Sequence, residues 1–419
     1  MQGHNSRKAA VPYAWVTVIV LFVGLVASFG MRSTFGAYVS PWEQEFSANR
    51  ALVTSISMMG FVFYALGQPL AGKLNDHFGR GIIPCVGLLL TGTSLILASQ
   101  ATQMWHLFVL FGAGVYLGAA ACSNVVSAAI VTKWFVKKRG FALGLVMSGM
   151  AAGQLFLIPA NLFVIERFGW RTSTAVFGIA ILALIVPLVL IFLRSKPEEK
   201  GLKPYGHEET KNGNHPVDAQ ALGANQYLPL TGAFKTRAFW LLAIPFFICG
   251  FTDVGLINTH FIPMAIGRGF QVSEVAIAVS LIAITNVAGS IITGYLSDHI
   301  SRKWQLAAIY TIRAGTFIFL LLLQSTMLLF VFAMIYGAVE IASITPVQSL
   351  TVQFFDKYST GAILGFVSMS HQLGGAIGAW VPGLLYDLTG SYFHVLVVAT
   401  FMLVGGGLLS LRIAEPRRS

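Results

Sequence analysis

Long apolar runs recur along the chain, separated by short turns rich in charge, glycine and proline. Twelve are readable, at about 14–38, 51–71, 82–101, 105–131, 139–164, 171–194, 238–265, 272–295, 304–324, 326–350, 361–385 and 391–412. Crossing a hydrocarbon core takes roughly 20 apolar residues per helix, because lipid offers no water to free backbone groups. The runs lack the short alternating strands of a membrane barrel. The pattern predicts an all-α membrane protein of twelve transmembrane helices. One long polar segment interrupts it, residues 195–234 (SKPEEKGLKPYG and onward), with charge, proline and glycine but no apolar period. It predicts a flexible linker between an N-terminal six-helix bundle, 1–194, and a C-terminal one, 235–419.

The second half repeats the first. GKLNDHFGRG, from Gly72 to Gly81, returns 222 residues later as GYLSDHISRK, from Gly294 to Lys303. KWFVKKRGFALGLVMSGMAAG (Lys133 to Gly153) is echoed by QFFDKYSTGAILGFVSMSHQLGG (Gln353 to Gly375), with Gly144 and Gly365 offset by 221. A duplicated helical bundle with basic turns at matching places is a transporter architecture with pseudo-symmetric halves. Gly140, Gly144, Gly149 and Gly153, and Gly374, Gly375 and Gly378 in the repeat, put small residues at helical spacing. Such stripes let membrane helices approach closely, as sliding surfaces or as static packing.

Composition sharpens this. Of 419 residues 56% are hydrophobic and 10% charged, with mean hydropathy +0.74; a soluble chain carries about a quarter charged residues. The net charge of +11 is topological. Of 27 Lys and Arg, 21 lie at the N-terminus, in the turns after even-numbered helices, or at the C-terminus. Only Arg50, Arg167, Arg171 and Arg268 lie on the opposite face, and Arg32 and Arg313 lie within helices. Positive charge stays on the cytoplasmic side, which predicts a multi-pass protein of the cytoplasmic (inner) membrane with both termini inside. The basic excess is therefore no nucleic-acid patch. Cys85, Cys122 and Cys249 show neither disulfide nor metal spacing and read as small core residues. The first apolar run is too long for a cleaved signal. No nucleophile elbow or phosphate loop appears. No enzyme chemistry, cofactor or metal is expected, and one chain holding both halves needs no partner to form a pathway.

The turn GKLNDHFGRG resembles the G-x-L-x-D-x-x-G-R motif of the major facilitator superfamily, at the place that family carries it. The resemblance covers essentially the whole chain. It implies a two-bundle fold, with Gly72, Asp76, Gly79 and Arg80 forming a conformational latch and Asp298 and Arg302 its second-half copy. WFVKKRGFALGLVMSGMAAG is similar to the helix 4–5 signature of monocarboxylate transporters and oxalate/formate antiporters, as are GMRSTFGAYVSPWEQEF, KTRAFWLL and GGAIGAWVPGLLYDLTGSY. That likeness implies a small organic anion as substrate. One departure stands out. Those transporters carry an Arg in helix 8, four residues before the Gly of the turn. Here that position is Ser290, and one turn earlier lies Asn286.

A charge inside a membrane helix costs at least about 2.5–3.5 kcal/mol, so it faces a cavity and has a partner or a task. Arg32 in helix 1 and Asp253 in helix 7 are offset by 221, at matching depth in related helices. Arg32 is the candidate for holding a carboxylate through its planar donor fork; a structural pair with Asp253 and snorkelling are the alternatives. Asp253 and Glu340 are the candidate proton carriers, with Glu340 also placed to pair with Arg313. His260, His371, Tyr116, Asn124 and Asn286 are candidate polar substrate contacts. The expected activity is movement of a small carboxylate by alternating access, with proton symport favoured over exchange. Its rivals are efflux of amphipathic drug-like compounds, suggested by the 12% aromatic content, and a transporter-derived sensor signalling through the linker.

Overall fold

The computed structural model describes residues 2–79, 81–206, 228, 230–355, 358 and 360–415, with the side chains of 2–12, Asp76, Asp298, 360 and 361 outside that description. The apolar runs all form helices, labelled here α1 Tyr13–Glu45, α2 Arg50–Asn75, α3 Ile82–Ala98, α4 Met104–Trp134, α7 Arg237–Gly267, α8 Val272–Ser297, α9 Arg302–Leu321, α10 Thr326–Phe354 and α12 Phe393–Leu411, with α11 Thr360–Thr389. The stretch Arg139–Phe192 turns at Gly169, whose φ of 81° and ψ of 163° are not helical, and divides into α5 (139–168) and α6 (170–192). Phe156, Leu184, Ile291 and Phe401 stand exposed on the helices, as lipid-facing side chains do.

Polar signals between the runs start the helices. Thr236 accepts from the Phe239 N–H at the start of α7. Gln271 and Glu274 form a reciprocal capping box at α8. Glu274 also accepts from the Thr326 hydroxyl at 2.6 Å, tying the start of α8 to that of α10.

Among the described residues, three membrane helices are broken in mid-span. α1 turns at Thr34, whose hydroxyl and N–H both return to the Met31 carbonyl. α4 breaks at Cys122 and Ser123, between helical segments ending at Ala121 and resuming at Asn124. α10 breaks between Glu340 and Ile344. Cys122 and Ser343 are 221 positions apart, so the repeat conserves the break as well as the turns. A π-helical segment spans Phe251–Ile257 in α7 and another Phe108–Val115 in α4. Broken helices at matching places are the device by which transporters expose backbone and polar side chains at membrane depth; a third π-segment, the apolar Ile181–Ile185, lies in α6.

The chain forms two compact units, Met1–Thr34 with Phe63–Gly223, and Phe35–Val62 with Ala224–Ser419. Within unit one, α1 packs on α5 and α3 on α4 and α6; within unit two, α7 packs on α11 and α9 on α12. The same pairings recur because the same small residues recur. Gly67 meets Ala120 between α2 and α4, and Gly289 meets Ala338 between α8 and α10. Gly149 and Gly153 admit the backbone of α1, whereas Gly140 and Gly144 face open space. The compact division thus also assigns residues 35–62 to unit two, where Gly36 lies against the backbone of Asn258 and Gly383 against Thr54.

The segment expected to be a free tether is built into unit one at its beginning. Ser195 accepts from the Gly81 N–H at 2.8 Å, Trp134 Nε1 donates to the Arg194 carbonyl at 2.8 Å, and the Val136 N–H donates to the Tyr205 carbonyl at 2.9 Å. Composition conceals this because each anchor has a backbone group on at least one side. Gly79 and Gly81 have φ of 63° and 66°, a left-handed conformation that costs a side-chain-bearing residue energy. That is the physical need for glycine in the motif turn. Gly72 has only ordinary contact room. Arg80 and the side chains of Asp76 and Asp298 lie outside the described residues, as does the linker over 207–227.

In the second-half turn, Arg302 Nη1 donates to Gln353 Oε1 at 3.1 Å. Glu415 caps the start of α9, accepting from the Ser301 hydroxyl at 2.5 Å and the N–H groups of Arg302 and Lys303 at 3.2 and 3.5 Å. Burial works to raise this carboxyl, but the Ser301 hydroxyl, the two N–H groups and the Arg302 charge outweigh it and hold it below its ordinary value of 4.5. A depressed carboxyl stabilises the fold above its unfolded value and loses that contribution as pH falls through the folded one. Glu415→Gln is therefore expected to lower the unfolding midpoint near neutral pH, the gap to wild type closing below pH 4.5. A gap unchanged by pH would contradict the assignment.

Candidate functional site

Unit two buries a polar cluster that five helices assemble. Cys249 and Asp253, four apart on α7, share a helix face, and Tyr336 and Glu340 do so on α10. Asn286 comes from α8, Arg313 from α9 and His371 from α11; of the seven, none exceeds 9% exposure. Arg313 is wholly buried. Its Nη2 donates to the carbonyls of Val339, at 2.5 Å, and Glu340, and its Nη1 to Cys249 Sγ at 3.0 Å. The expected Arg313–Glu340 partnership thus runs through the Glu340 carbonyl. A helix that stops inside a membrane leaves carbonyls without partners, and this guanidinium closes the end of α10's first segment with the charge its dipole favours.

The Glu340 carboxyl accepts from Asn286 Nδ2 at 2.6 Å and faces the Asp253 carboxyl. Asp253 Oδ1 accepts from the Tyr336 hydroxyl at 3.3 Å and from Asn258 Nδ2 at 3.4 Å. Cys249 Sγ also lies 3.2 Å from the Ser343 hydroxyl, and the His371 ring packs on Phe246 with centroids 4.5 Å apart. Four candidates from the sequence, Asp253, Glu340, Asn286 and His371, therefore converge. Asn286, near the place where the resemblance expects an Arg, is a carboxyl donor instead.

Unit one holds Arg32, Tyr116 and Asn124. Arg32 is 5% exposed at the break in α1, and its guanidinium lies 4.5 Å from the ring centroids of both Phe29 and Tyr64. Two aromatic faces hold its plane by cation–π attraction, about 0.5–2 kcal/mol each depending on desolvation. Asn124, just after the α4 break, accepts from Gln68 Nε2 at 3.2 Å. Tyr116 follows the π segment, fully buried against Phe111.

His260 is not in the cluster. It sits in unit two where Phe35–Val62 joins α7 and α11. Its Nε2 is 2.7 Å from the Ala379 carbonyl and its Nδ1 2.9 Å from the Tyr392 hydroxyl. A carbonyl only accepts, so Nε2 carries the proton and, in the neutral ring, Nδ1 accepts from Tyr392. Tyr392 in turn accepts from Arg50 Nη1 at 3.1 Å. Arg50 also pairs with both Glu43 oxygens, at 2.6 and 2.8 Å, and lies 4.0 Å over the Tyr386 ring. Asp387 caps the start of α2 through the N–H groups of Arg50 and Ala51, at 3.0 and 2.7 Å.

Sequence reasoning passed over Cys249, Tyr336, Arg50, Asp387 and Tyr392. The available signals were an acid within YDLTGSY and a cysteine one helical turn before Asp253.

Comparison with known proteins agrees with this architecture. The chain is 24% identical over 397 aligned positions to the uncharacterized MFS-type transporter YcxA of Bacillus subtilis, covering 92% of this chain and 91% of that one. It is 24% identical over 430 positions to monocarboxylate transporter 12 of Homo sapiens, covering 97% and 82%, and 25% identical over 406 positions to monocarboxylate transporter 13 of Bos taurus, covering 95% and 88%. A crystal structure of a bacterial homolog of the human lysosomal transporter Spinster, inward-facing and occupied, superposes with TM-score 0.74 at 17% identity, over 95% of this chain and 96% of that one. The Major Facilitator Superfamily model matches residues 20–379 and again 248–419. With its twelve helices in two pseudo-symmetric bundles, its duplicated turns and that match over most of its length, the chain belongs to the major facilitator superfamily.

Proposed function

We propose that this transporter moves a small organic anion, a monocarboxylate or related carboxylate, across the cytoplasmic membrane by alternating access with proton symport. The observation that carries the reading is Arg32, buried at the break in α1 with its plane held between Phe29 and Tyr64. A permanent cation kept at membrane depth at this cost is suited to a carboxylate, which its fork takes bidentately. Monocarboxylate transporters 12 and 13 among the relatives support the substrate class.

In this reading the halves are the bundles 1–194 and 235–419, joined by the 195–234 linker, with both termini cytoplasmic. Tyr116, Asn124, Asn286 and His371 add polar contacts, and His260 orients Tyr392 toward Arg50. Asp253 and Glu340 face each other with one guanidinium nearby, so a single proton neutralises the three. That is the charge arithmetic a proton-coupled carrier needs. The turns at Asp76 and Arg80, and at Asp298 and Arg302, act as the latches.

The test is uptake by proteoliposomes of labelled lactate, pyruvate, formate, oxalate and an aromatic acid, with and without an inward proton gradient. Gradient-driven accumulation of at least one acid is expected. Accumulation of none would remove the reading and bring drug efflux forward.

A further inference from the structure

The geometry points to a transition-metal site in unit two: Cys249, Asp253 and His371 form a three-ligand centre for a borderline-to-soft divalent ion of the zinc class. Their donor atoms, one thiol sulfur, one carboxylate oxygen and one imidazole nitrogen, all lie within 4.8 Å of one another in the buried interior. Cys249 and Asp253 are consecutive on one face of α7, and His371 arrives from α11, 118 positions beyond Asp253. No local spacing motif announces the set; tertiary packing assembles it.

The approach that does so is specific. A side chain at Gly250 would collide with the His371 backbone carbonyl, one at Gly374 with the Phe247 carbonyl, and one at Gly378 with the Phe251 carbonyl. The two helices meet backbone to backbone at the level of Cys249 and Asp253, which brings the imidazole to the thiol.

The donor set selects the ion. Thiolate, imidazole and carboxylate together suit zinc, whereas alkali and alkaline-earth cations take all-oxygen sites. The surroundings supply the outer contacts. Arg313 Nη1 and the Ser343 hydroxyl, 3.0 and 3.2 Å from Cys249 Sγ, are placed to donate to a metal-bound sulfur. Binding forms bonds from the metal to sulfur, nitrogen and oxygen, and the thiol proton leaves to solvent. Three protein ligands leave a fourth tetrahedral position for water.

This inference does not rest on the transport reading, because binding is read without transport. The full-length chain, solubilised in detergent with Cys85→Ser and Cys122→Ser so that Cys249 is the sole thiol, is titrated with Cd²⁺. The readout is the ultraviolet thiolate-to-cadmium band. One Cd²⁺ per chain and displacement by Zn²⁺ are expected. Adding Cys249→Ser should abolish the band, and His371→Gln or Asp253→Asn should each weaken binding about 10-fold or more, all in protein that still elutes as a single sharp peak. A folded parent with no band at millimolar Cd²⁺ would overturn the site. So would undiminished affinity in the His371 and Asp253 variants, which stays decisive even if Cys249→Ser fails to fold.

Discussion

Arg313→Gln is expected to destabilise the protein by about 3–5 kcal/mol, the cost of breaking a buried charge network by removing one member. Arg313 is wholly buried in α9. It reaches the Val339 and Glu340 carbonyls where α10 breaks, and it also holds Cys249. A glutamine is shorter and neutral, so the carbonyls lose their donor and the two facing carboxyls lose their counter-charge. The measurement is the unfolding midpoint in detergent, read by tryptophan fluorescence. The two causes separate in a double variant. If uncompensated charge dominates, adding Glu340→Gln recovers much of the loss; if the open helix end dominates, it recovers little. A midpoint indistinguishable from wild type would remove Arg313 as the support of the break.

Arg32→Gln should lower uptake of the best acid by about 2–5 kcal/mol in transition-state terms, the range for losing one partner of a buried charge pair. That is about 30-fold to a few thousandfold. Arg32→Lys should fall between, since the ammonium keeps the charge but not the fork, nor the plane that stacks between Phe29 and Tyr64. The loss of uptake should exceed any shift of the unfolding midpoint, to which the cation–π contacts with Phe29 and Tyr64 contribute about 0.5–2 kcal/mol each. Uptake equal in all three proteins, with the midpoint lowered, would make Arg32 structural and leave the anion to another residue.

Much of the architecture was legible from one-dimensional signals. Membrane crossing depends on a contiguous apolar run, so α1 to α12 could be located without any knowledge of their neighbours. The duplication was equally plain, because its turns at Gly72–Gly81 and Gly294–Lys303 are local. The candidate site was legible only in its charged members. A charge in an apolar run is conspicuous, so Asp253, Glu340 and Arg313 stood out, whereas Cys249 and Tyr336 are ordinary membrane-helix residues until something is seen beside them.

What the sequence by itself determined, then, is what local pattern sets: helix number, repeat symmetry, the glycine-requiring turn at Gly79 and Gly81, and which charges lie within apolar runs. Tertiary structure alone decided who meets whom. It sent Arg313 to the Glu340 carbonyl instead of its carboxylate, drew His260 to Tyr392 and away from the cluster, and assigned residues 35–62 to unit two. It also built 195–206 into unit one through hydrogen bonds that involve backbone groups and that composition does not encode. The reason is physical. Lipid exposure and backbone satisfaction act on each segment separately, while side-chain partners across helices depend on rotation and approach, which Gly250, Gly289 and Gly374 set by admitting neighbouring backbones.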